Sequence, residues 1–544
     1  MTTSYQSVTN DGRLPDWRSL SLKQQIGQTI VVRAAGFLFD HQIRYPAWEA
    51  LNSQLKQWLA ELNLGGVILL GGSSIELQTR SQQLQSWAQI PLFLAADVEE
   101  GLGQRFPGGT WFPPPMALSA IAEEDWELAQ KYAFTLGQIT ATEAVAVGLN
   151  WLLAPVVDVN NNPDNPVINI RAFSDRPEVV SHLAAAFIEG AKSFPILTTA
   201  KHFPGHGDTT TDSHLNLPTL THNEARLAEI ELPPFQKAIA AGVDSVMTAH
   251  LLIPAWDQQR PATLSLSILE NKLRKQLGFG GLIVTDALIM GGITNYAPPE
   301  EVVVMAIEAG NDILLMPDNP EVAIAAIYNA VKSGRIPEER IHASLERIWQ
   351  AKTKIIQNER SLNRDSLSTP AASHTVGSIL QKSLQTGGNV PFHPQTDTGR
   401  NLIVVDDLLN ASFLDLHTPA VTLPQQFNYQ RQIVDCHTLN CIVNDSRPTL
   451  LQIFIRGNPF RGNAGLTLQA QNIYRQLLQT GTVEALIIYG SPYVLDWFKP
   501  QLNNGLPWVF TYGQMPTAQA IANYTLFQGN AIAPSENKNF NFGF

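Results

Sequence analysis

Residues 196–214 have the sequence ILTTAKHFPGHGDTTTDSH, in which a short apolar run passes directly into a loop dense in titratable side chains. The apolar run at 196–200 is typical of a short buried strand. Pro204, Gly205 and Gly207 prevent a helix from following it and let the backbone turn sharply. Because α/β proteins carry their chemistry on loops at the ends of strands, this stretch predicts an α/β fold and the position of its functional site.

Short apolar runs alternate with longer amphipathic stretches on both sides of this strand. Such alternation indicates a parallel sheet, and eight units in roughly 300 residues are typical of a TIM-type (β/α)8 barrel. The strand-like runs lie at residues 30–32, 66–70, 91–95, 151–157, 196–200, 245–248, 282–285 and 312–316. The helical stretches include residues 47–62, 125–147, 178–192, 223–241 and 299–309, with a long last helix at 338–357.

The chain is predicted to contain two domains. Residues 1–357 form the barrel, which is expected to be the catalytic domain. Residues 358–398 are rich in Ser, Thr, Asn and Gly, which predicts a linker with one helix around 378–384. Residues 399–544 are predicted to form a smaller C-terminal α/β domain. Its strand-like runs lie at 401–405, 450–455, 485–489 and 508–511, and a helical stretch lies at 466–478.

The composition is that of an ordinary globular protein. The 544 residues are 44% hydrophobic and 15% charged, and the net charge of −12 argues against nucleic acid or anionic membranes as partners. Residues 1–16 lack the pattern of a signal peptide, and no apolar run approaches the ~20 residues of a membrane helix, so a cytoplasmic location is expected. The two cysteines, Cys436 and Cys441, offer no disulfide framework or Cys-based zinc site and are expected to be reduced core residues.

Asp212 and His214 are two residues apart in the polar loop. In an extended segment this spacing puts both side chains on one face, where they can form a hydrogen bond. A carboxylate fixes the tautomer of a neighbouring imidazole and raises its pKa, which suits a general acid and base. Two other interpretations remain open. One is a turn in which the histidines cap backbone groups, and the other is a metal site formed by His202, His206, Asp208 and His214.

Polar side chains also follow several of the other predicted strands. A single Asp at a strand end is more often a helix cap than a catalyst, but several on one rim of a barrel favour a functional site. A rigid carboxylate opposite a mobile proton donor is the arrangement of retaining glycoside hydrolysis. In chain order these residues are Asp97, Glu99, Glu100, Arg105, Asp158, Arg171, Lys201, His202 and Asp286.

The loop KHFPGHG at 201–207, followed by DSH at 212–214, resembles that of the β-N-acetylglucosaminidases of glycoside hydrolase family 3. The resemblance covers most of residues 20–350 and more weakly 400–544, and it implies a barrel with a second α/β domain. It implies Asp286 as nucleophile, His214 as general acid and base and Asp212 as its partner, with a small carbohydrate as substrate and no metal or cofactor. The residues implied to bind the sugar are Asp97, Arg105, Arg171, Lys201 and His202.

Two segments depart from the family pattern. The family segment Glu-Gly-Gly-Arg is replaced by EEGL at residues 99–102, and Ala287 stands where a second Asp usually follows the nucleophile. The expected function is a retaining β-N-acetylhexosaminidase acting on cell-wall fragments. The alternatives are a β-glucosidase of the same family, a catalytically silent sugar-binding protein and, third, a metal hydrolase. The oligomeric state, the aglycone and the choice between hydrolysis and phosphorolysis stay open.

Overall fold

A computed structural model describes residues 14–356, 363–394, 398–442, 445–457 and 464–529. These residues form two compact units. The first contains the described residues up to Thr110 together with Ala133–Val159 and the described part of Asp175–Thr369. The second contains Trp111–Tyr132, Asn160–Ser174 and the described residues from Pro370 onward.

The first unit is built on parallel strands in two sheets, with the orders β4-β3-β2-β1-β8 and β5-β6-β7. Isolated parallel bridges join Trp151 to Leu197 and Val156 to Lys201 at one edge, and Val284 to Ile313 at the other, so the two sheets are hydrogen-bonded to each other at both edges. The strands are β1 (Ile30–Ala35), β2 (Gly66–Leu70), β3 (Phe93–Ala96), β4 (Trp151–Leu152), β5 (Thr199–Phe203), β6 (Ser245–Thr248), β7 (Leu282–Thr285) and β8 (Leu314–Leu315).

Helices connect these strands. In chain order, the α-helices up to Ile356 are α1 (Leu22–Gly27), α2 (Asn52–Glu61), α3 (Ser74–Trp87), α4 (Ala117–Glu124), α5 (Trp126–Ala146), α6 (Pro177–Ala191), α7 (Glu224–Glu229), α8 (Leu232–Ala240), α9 (Gly291–Thr294), α10 (Pro299–Ala309), α11 (Pro320–Lys332) and α12 (Glu338–Ile356). A π-helix spans Ser267–Gln276. The helix predicted at 223–241 is therefore two helices, since prolines open the first turn of α8, where they need no hydrogen-bonded N–H.

The strands of the first unit bury apolar side chains on both faces, as parallel strands covered by helices do. Phe93 and Trp151 pack in one core with Ile348 of α12. The Trp151 indole N–H lies 2.9 Å from the Thr199 hydroxyl and 3.1 Å from that of Ser245, so the polar atom of this large ring is satisfied inside the core.

The second unit contains a six-stranded sheet with the order β11-β10-β12-β13-β14-β9, in which only β9 is antiparallel to its neighbour. Its strands are β9 (Gln385–Gly387), β10 (Gly399–Val405), β11 (Tyr429–Val434), β12 (Thr449–Ile455), β13 (Val483–Gly490) and β14 (Trp508–Thr511). Its helices from Pro370 onward are α13 (Pro370–Lys382), α14 (Pro419–Gln425), α15 (Leu468–Gln479), α16 (Pro492–Phe498) and α17 (Pro516–Gln528).

Several local expectations differ from the structure. Within the stretch expected to be a linker, 358–398, the helix expected around 378–384 corresponds to α13, which begins earlier, at Pro370. The strand β9 was not expected there, and it pairs with β14 of the second sheet. Cys436 is exposed rather than buried, because it follows the end of β11 instead of lying within it. The side chain of Cys441 lies outside the described residues. Across the described ranges, no helix is both long and apolar enough to span a membrane.

Candidate active site

Lys201 lies inside β5, which extends to Phe203, three residues beyond the strand end expected at Ala200. Its ammonium nitrogen lies 2.6 Å from Asp97 Oδ1 and 2.7 Å from Glu99 Oε1. The Lys201 side chain is 1% exposed, whereas that of Asp97 is 39% exposed. A buried cation is thus paired with two carboxylates, one buried and one partly exposed.

Glu99 was not among the binding residues inferred from the sequence. It stands in the segment that departs from the family pattern, and its carboxylate is as buried as Lys201. The signal was present, because Glu99 follows the same strand end as Asp97, but the sequence does not give the direction of its side chain. Arg105 comes to the same place from the following loop, where its Nε donates to the backbone oxygen of Asp97 at 3.0 Å.

Asp158 is fully buried and fixes the next part of the polar segment. Its Oδ1 accepts hydrogen bonds from the backbone N–H groups of His202, at 3.1 Å, and His206, at 2.7 Å. Its Oδ2 lies 2.8 Å from Nδ1 of His202. The carboxylate therefore orients the His202 ring and holds the backbone of the turn that follows β5.

His206 connects the two halves of the loop. Its Nδ1 lies 2.8 Å from the Thr209 hydroxyl and its Nε2 lies 2.8 Å from the Ser213 hydroxyl. Burial lowers the pKa of His206 to about 4, although Asp158 nearby acts in the opposite direction. This imidazole is therefore neutral at pH 7, and it anchors the residue that separates Asp212 from His214.

Asp212 and His214 are brought together by a turn and not by the extended segment that was expected. Oδ1 of Asp212 accepts the backbone N–H of His214 at 2.9 Å and also lies 2.9 Å from its ring Nδ1. Asp212 is buried, with 1% of its side chain exposed, whereas 19% of the His214 side chain is exposed. The geometry assigns the Nδ1 proton to the contact with Asp212 and leaves Nε2 at the other side of the ring.

Asp286 follows β7 and is held at its backbone by a hydrogen bond from its N–H to the Thr248 oxygen, at 3.1 Å. Its Oδ1 accepts the N–H of Ala287 at 2.8 Å. Burial raises the pKa of the Asp286 carboxyl, but the neighbouring imidazoles and the Ala287 N–H outweigh burial, so the pKa lies below its ordinary value. The imidazoles, in decreasing order of effect, are those of His202, His250 and His214.

His250 was missed in the sequence, although it follows β6 as the other candidates follow their strands. The ring is fully buried, with Nδ1 at 2.8 Å from the Thr263 hydroxyl and Nε2 at 3.1 Å from the Ala287 carbonyl oxygen. Burial lowers the pKa of His250, which Asp286 partly counteracts. The ring thus holds the peptide that follows Asp286.

The residues of the alternative metal site are bound to separate partners. Asp208 lies 2.8 Å from Nε2 of His222 and 3.2 Å from Arg226, on the outer part of the loop. His206 is bound to hydroxyl groups at both nitrogens. Within the described residues, no group of three or more His, Cys, Asp or Glu side chains has a geometry that could hold a metal ion.

Arg171 belongs to the second compact unit, where it ends a 3₁₀ helix at Asn169–Arg171. Its Nη1 donates to the Val167 oxygen at 3.0 Å. Its role in sugar binding stays a prediction from the resemblance.

Comparison with known proteins gives the family. The model of the glycosyl hydrolase family 3 N-terminal domain matches residues 21–351, which is more than half of the chain. The chain belongs to glycoside hydrolase family 3. The model of the bacterial glycosyl hydrolase family 3 C-terminal domain matches residues 393–528. The two matches confirm the family resemblance that the sequence indicated for residues 20–350 and, more weakly, for residues 400–544.

Individual family 3 relatives are similar over different lengths. β-Hexosaminidase A of Pseudoalteromonas piscicida is 34% identical over 347 residues, 58% of each chain. β-N-acetylglucosaminidase/β-glucosidase of Cellulomonas fimi is 30% identical over 304 residues, 54% of this chain and 53% of that one. These matches span little more than half of those two relatives. The structure of a family 3 β-N-acetylglucosaminidase from Paenibacillus sp. str. FPU-7 has a TM-score of 0.78 and 28% identity, covering 94% of this chain and 97% of that one.

Proposed function

We propose that this protein is a retaining glycoside hydrolase that removes terminal β-N-acetylglucosamine, with Asp286 as nucleophile and His214, paired with Asp212, as general acid and base. One observation carries the proposal. The Asp286 carboxyl has a lowered pKa and lies within electrostatic reach of His214, whose ring is bound to a buried carboxylate. An anionic carboxylate on a rigid strand end and a separate proton carrier are the requirements of double displacement.

The chemistry follows from these two groups. In the first step Asp286 bonds to the anomeric carbon, the glycosidic bond breaks, and the leaving oxygen takes a proton from Nε2 of His214. In the second step a water oxygen bonds to the same carbon, its proton passes to Nε2, and the ester to Asp286 breaks. The sugar leaves with its original configuration, and both side chains return to their starting state.

Asp212 supports both steps by stabilising the His214 cation. Its Oδ1 already faces Nδ1 of the ring at 2.9 Å, so the charge that appears on protonation has a partner in place. His206 and Ser213 hold the turn between the two residues. We therefore assign His206 to the support of this pair and not to a metal.

The sugar at the non-reducing end is proposed to bind beside β5 and β3. Asp97 has an exposed carboxylate fixed by the buried Lys201, which suits bidentate acceptance from sugar hydroxyl groups. His202 is oriented by Asp158 and Arg105 is tied to the backbone of Asp97. Ordered donors and acceptors of this kind bind a polyhydroxylated ring with little loss of side-chain entropy.

The names of two relatives favour an N-acetylated sugar, since both are hexosaminidases or N-acetylglucosaminidases. A β-glucosidase is the second candidate because the Cellulomonas fimi relative carries both activities in its name. The natural substrate is proposed to be a cell-wall fragment ending in this sugar. We also propose that the eight strands of the first unit close into a (β/α)8 barrel, which the isolated parallel bridges at both edges of its sheets support.

The test is a pair of aryl β-glycosides with the same aglycone, one derived from N-acetylglucosamine and one from glucose. A site that binds the acetamido group leaves buried polar groups unpaired when that group is missing, so kcat/KM should be at least about 100-fold higher for the N-acetylglucosaminide. The assay is run with and without inorganic phosphate, and the products are identified to distinguish hydrolysis from phosphorolysis.

Each outcome points to one function. Equal or faster cleavage of the glucoside supports the β-glucosidase. Binding of both sugars without turnover supports a silent sugar-binding protein. Activity that is lost in a chelator and restored by added zinc supports the metal hydrolase.

A further inference from the structure

Two glycines directly after the Asp286 turn contact the loop that carries His214. The N–H of Gly291 donates to the backbone oxygen of His214 at 2.9 Å, and the N–H of Gly292 donates to that of Ser213 at 3.0 Å. Both glycines open the short helix α9, where N–H groups have no partner inside the helix. The backbone of the loop thus supplies the partners that α9 itself lacks.

The space at these two positions leaves no room for a side chain. A Cβ atom on Gly291 would lie 2.5 Å from the Leu215 oxygen and 2.9 Å from the His214 oxygen. A Cβ atom on Gly292 would lie 2.7 Å from the Ser213 oxygen. All three are backbone atoms at distances that real Cβ atoms essentially never show, so the loop would have to move.

The backbone conformation at positions 291 and 292 does not by itself require glycine. Neither has a φ in the left-handed region, in which a side chain is strained, so an alanine is opposed only by the atoms of the loop. The segment 287–290, which leads into the two glycines, is held by its own backbone hydrogen bonds. The N–H of Leu288 donates to the Leu315 oxygen at 2.9 Å, and the N–H of Met290 donates to the Ala287 oxygen at 3.1 Å.

We propose that Gly291 and Gly292 are positioning residues that set the place of the His214 ring relative to Asp286. The assignment rests on the proposed function of those two residues. Asp286 and the glycines lie on one rigid turn, and Ser213 and His214 lie on the loop docked against it. The close approach of the two backbones therefore fixes the spacing of the nucleophile and the proton carrier, and a methyl group at either glycine increases it.

The expected effect is a selective loss of proton transfer. A Cβ at 2.5 Å must move the Leu215 oxygen by roughly 0.9 Å to reach ordinary van der Waals contact. Misplacement of a catalytic group by about 1 Å costs about 100-fold in rate, so Gly291→Ala should lose about 10- to 100-fold in kcat/KM for poor leaving groups. Activated phenols, which depart without a proton, should be affected much less.

The experiment compares Gly291→Ala and Gly292→Ala with Gly280→Ala, whose added Cβ would meet nothing within 4 Å. Aryl N-acetylglucosaminides of graded leaving-group pKa give the dependence of kcat/KM on the leaving group. Hydrogen exchange of residues 208–216 reports the docking of the loop and needs no activity. Gly291→Ala and Gly292→Ala should show faster exchange in this segment and a steeper dependence on leaving-group pKa, while Gly280→Ala stays at wild-type values.

A double variant separates positioning from general damage. In a His214→Ala background, Gly291→Ala should cost little more, because both changes remove the same step. Wild-type exchange in residues 208–216 of both glycine variants overturns the proposal, and so does faster exchange with an unchanged leaving-group dependence. Absence of aryl N-acetylglucosaminidase activity in the wild-type protein instead overturns the proposed function, while the exchange measurement still decides whether the glycines dock the loop.

Discussion

Asp286, the proposed nucleophile, illustrates how a carboxylate stays ionised when buried. Burial alone would raise its pKa, but three imidazoles and one backbone N–H together lower the pKa by more than burial raises it. His202 has the largest effect among them. The group is therefore an anion throughout the pH range in which most enzymes work. An anionic oxygen held against a strand end needs no base to activate it as a nucleophile.

Replacement of Asp286 by Asn should reduce kcat/KM by at least about 1,000-fold, because the amide cannot form the glycosyl ester. Azide, which can attack from the side that the carboxylate occupies, should restore part of the turnover as a glycosyl azide. The control is Asp318→Asn at an exposed position, which should leave activity unchanged. A variant within about tenfold of the wild type would refute the nucleophile assignment.

His214→Ala should slow cleavage most for poor leaving groups, because activated phenols need no proton. Asp212→Ala should show the same dependence, and the double variant should be little worse than His214→Ala, since the two act as a unit. The measurement is kcat/KM across aryl N-acetylglucosaminides of graded leaving-group pKa. An equal loss for all leaving groups in a stably folded His214→Ala protein would contradict the acid and base role.

The candidate residues of the site could be named from the sequence, whereas most of their contacts could not. The spacing of Asp212 and His214 predicts that they meet, and they do, but through a turn whose geometry the spacing alone does not give. Glu99 and Asp158 were visible as strand-end acids, but their binding of Lys201 and His202 depends on side-chain directions. His250 lies at an equivalent strand end, and its contact with Ala287 comes only from the folded chain.

At the level of elements, the polar loop is a compact unit held from inside by a neutral imidazole. His206 has both nitrogens bound to hydroxyl groups of Thr209 and Ser213, and Asp158 accepts its backbone N–H. The outer part of the loop is held separately, through the pairing of Asp208 with His222 and Arg226. His206 thus ties the loop to itself, and Asp208 ties it to the segment that carries His222 and Arg226.

His206 should make stability depend on pH in a defined window. Its pKa is lowered from 6.5 to about 4 by burial, so between these values the unfolded chain binds a proton that the folded protein does not. The stability that follows from this difference is fully present above pH 6.5 and is lost as the pH falls towards 4. The free energy of unfolding changes by at most about 1.4 kcal/mol per pH unit through this group. In thermal unfolding across this window, His206→Gln should lose part of the pH dependence, and the exposed His41→Gln should keep all of it. Parallel Tm curves for wild type and His206→Gln would contradict this.

Strand boundaries were predictable where the apolar run and the strand have the same ends, and not elsewhere. The predicted strands at 66–70, 245–248 and 282–285 match β2, β6 and β7 residue for residue. The run at 151–157 keeps only Trp151–Leu152 as strand, because Pro155 lacks the N–H that a sheet ladder needs. In the segment expected to be a linker, the polar composition concealed the early start of α13, which buries only one face, and the edge strand β9.

For the whole molecule, the alternation of apolar runs correctly indicated parallel sheets with helices between them. The connection of the two sheets in the first unit depends on single bridges, which a hydrophobic pattern cannot specify. The last helix of this unit, α12, belongs to the same core as the strands, through Ile348 and Ile355. Lys352 lies on this buried face of α12, which is unusual for a lysine.

Among the described residues, the hydrogen-bond partners of Lys352 in the core include no carboxylate. Its ammonium nitrogen donates to Gln28 Oε1 at 2.7 Å and to the Pro91 oxygen at 2.6 Å, and lies 5.1 Å from the centre of the Phe93 ring. Burial lowers its pKa from 10.5 to about 7. Below pH 7 the folded protein therefore contains a buried cation and bears the full free-energy cost of removing it from water. Between pH 7 and 10.5 only the unfolded chain keeps the proton.

The stability of the whole protein should consequently gain from rising pH in the range 7 to 10.5, by at most about 1.4 kcal/mol per pH unit from this group. Lys352→Met keeps a long apolar side chain but cannot titrate, so the Tm of the variant minus that of the wild type should be largest near pH 7 and shrink towards pH 10. Lys56→Met, at an exposed position on α2, provides the matched control and should give a constant difference. If the Lys352→Met difference is also constant, the buried lysine does not release its proton in the folded state. Its hydrogen bonds to Gln28 and Pro91, together with the Phe93 ring, then stabilise the cation fully.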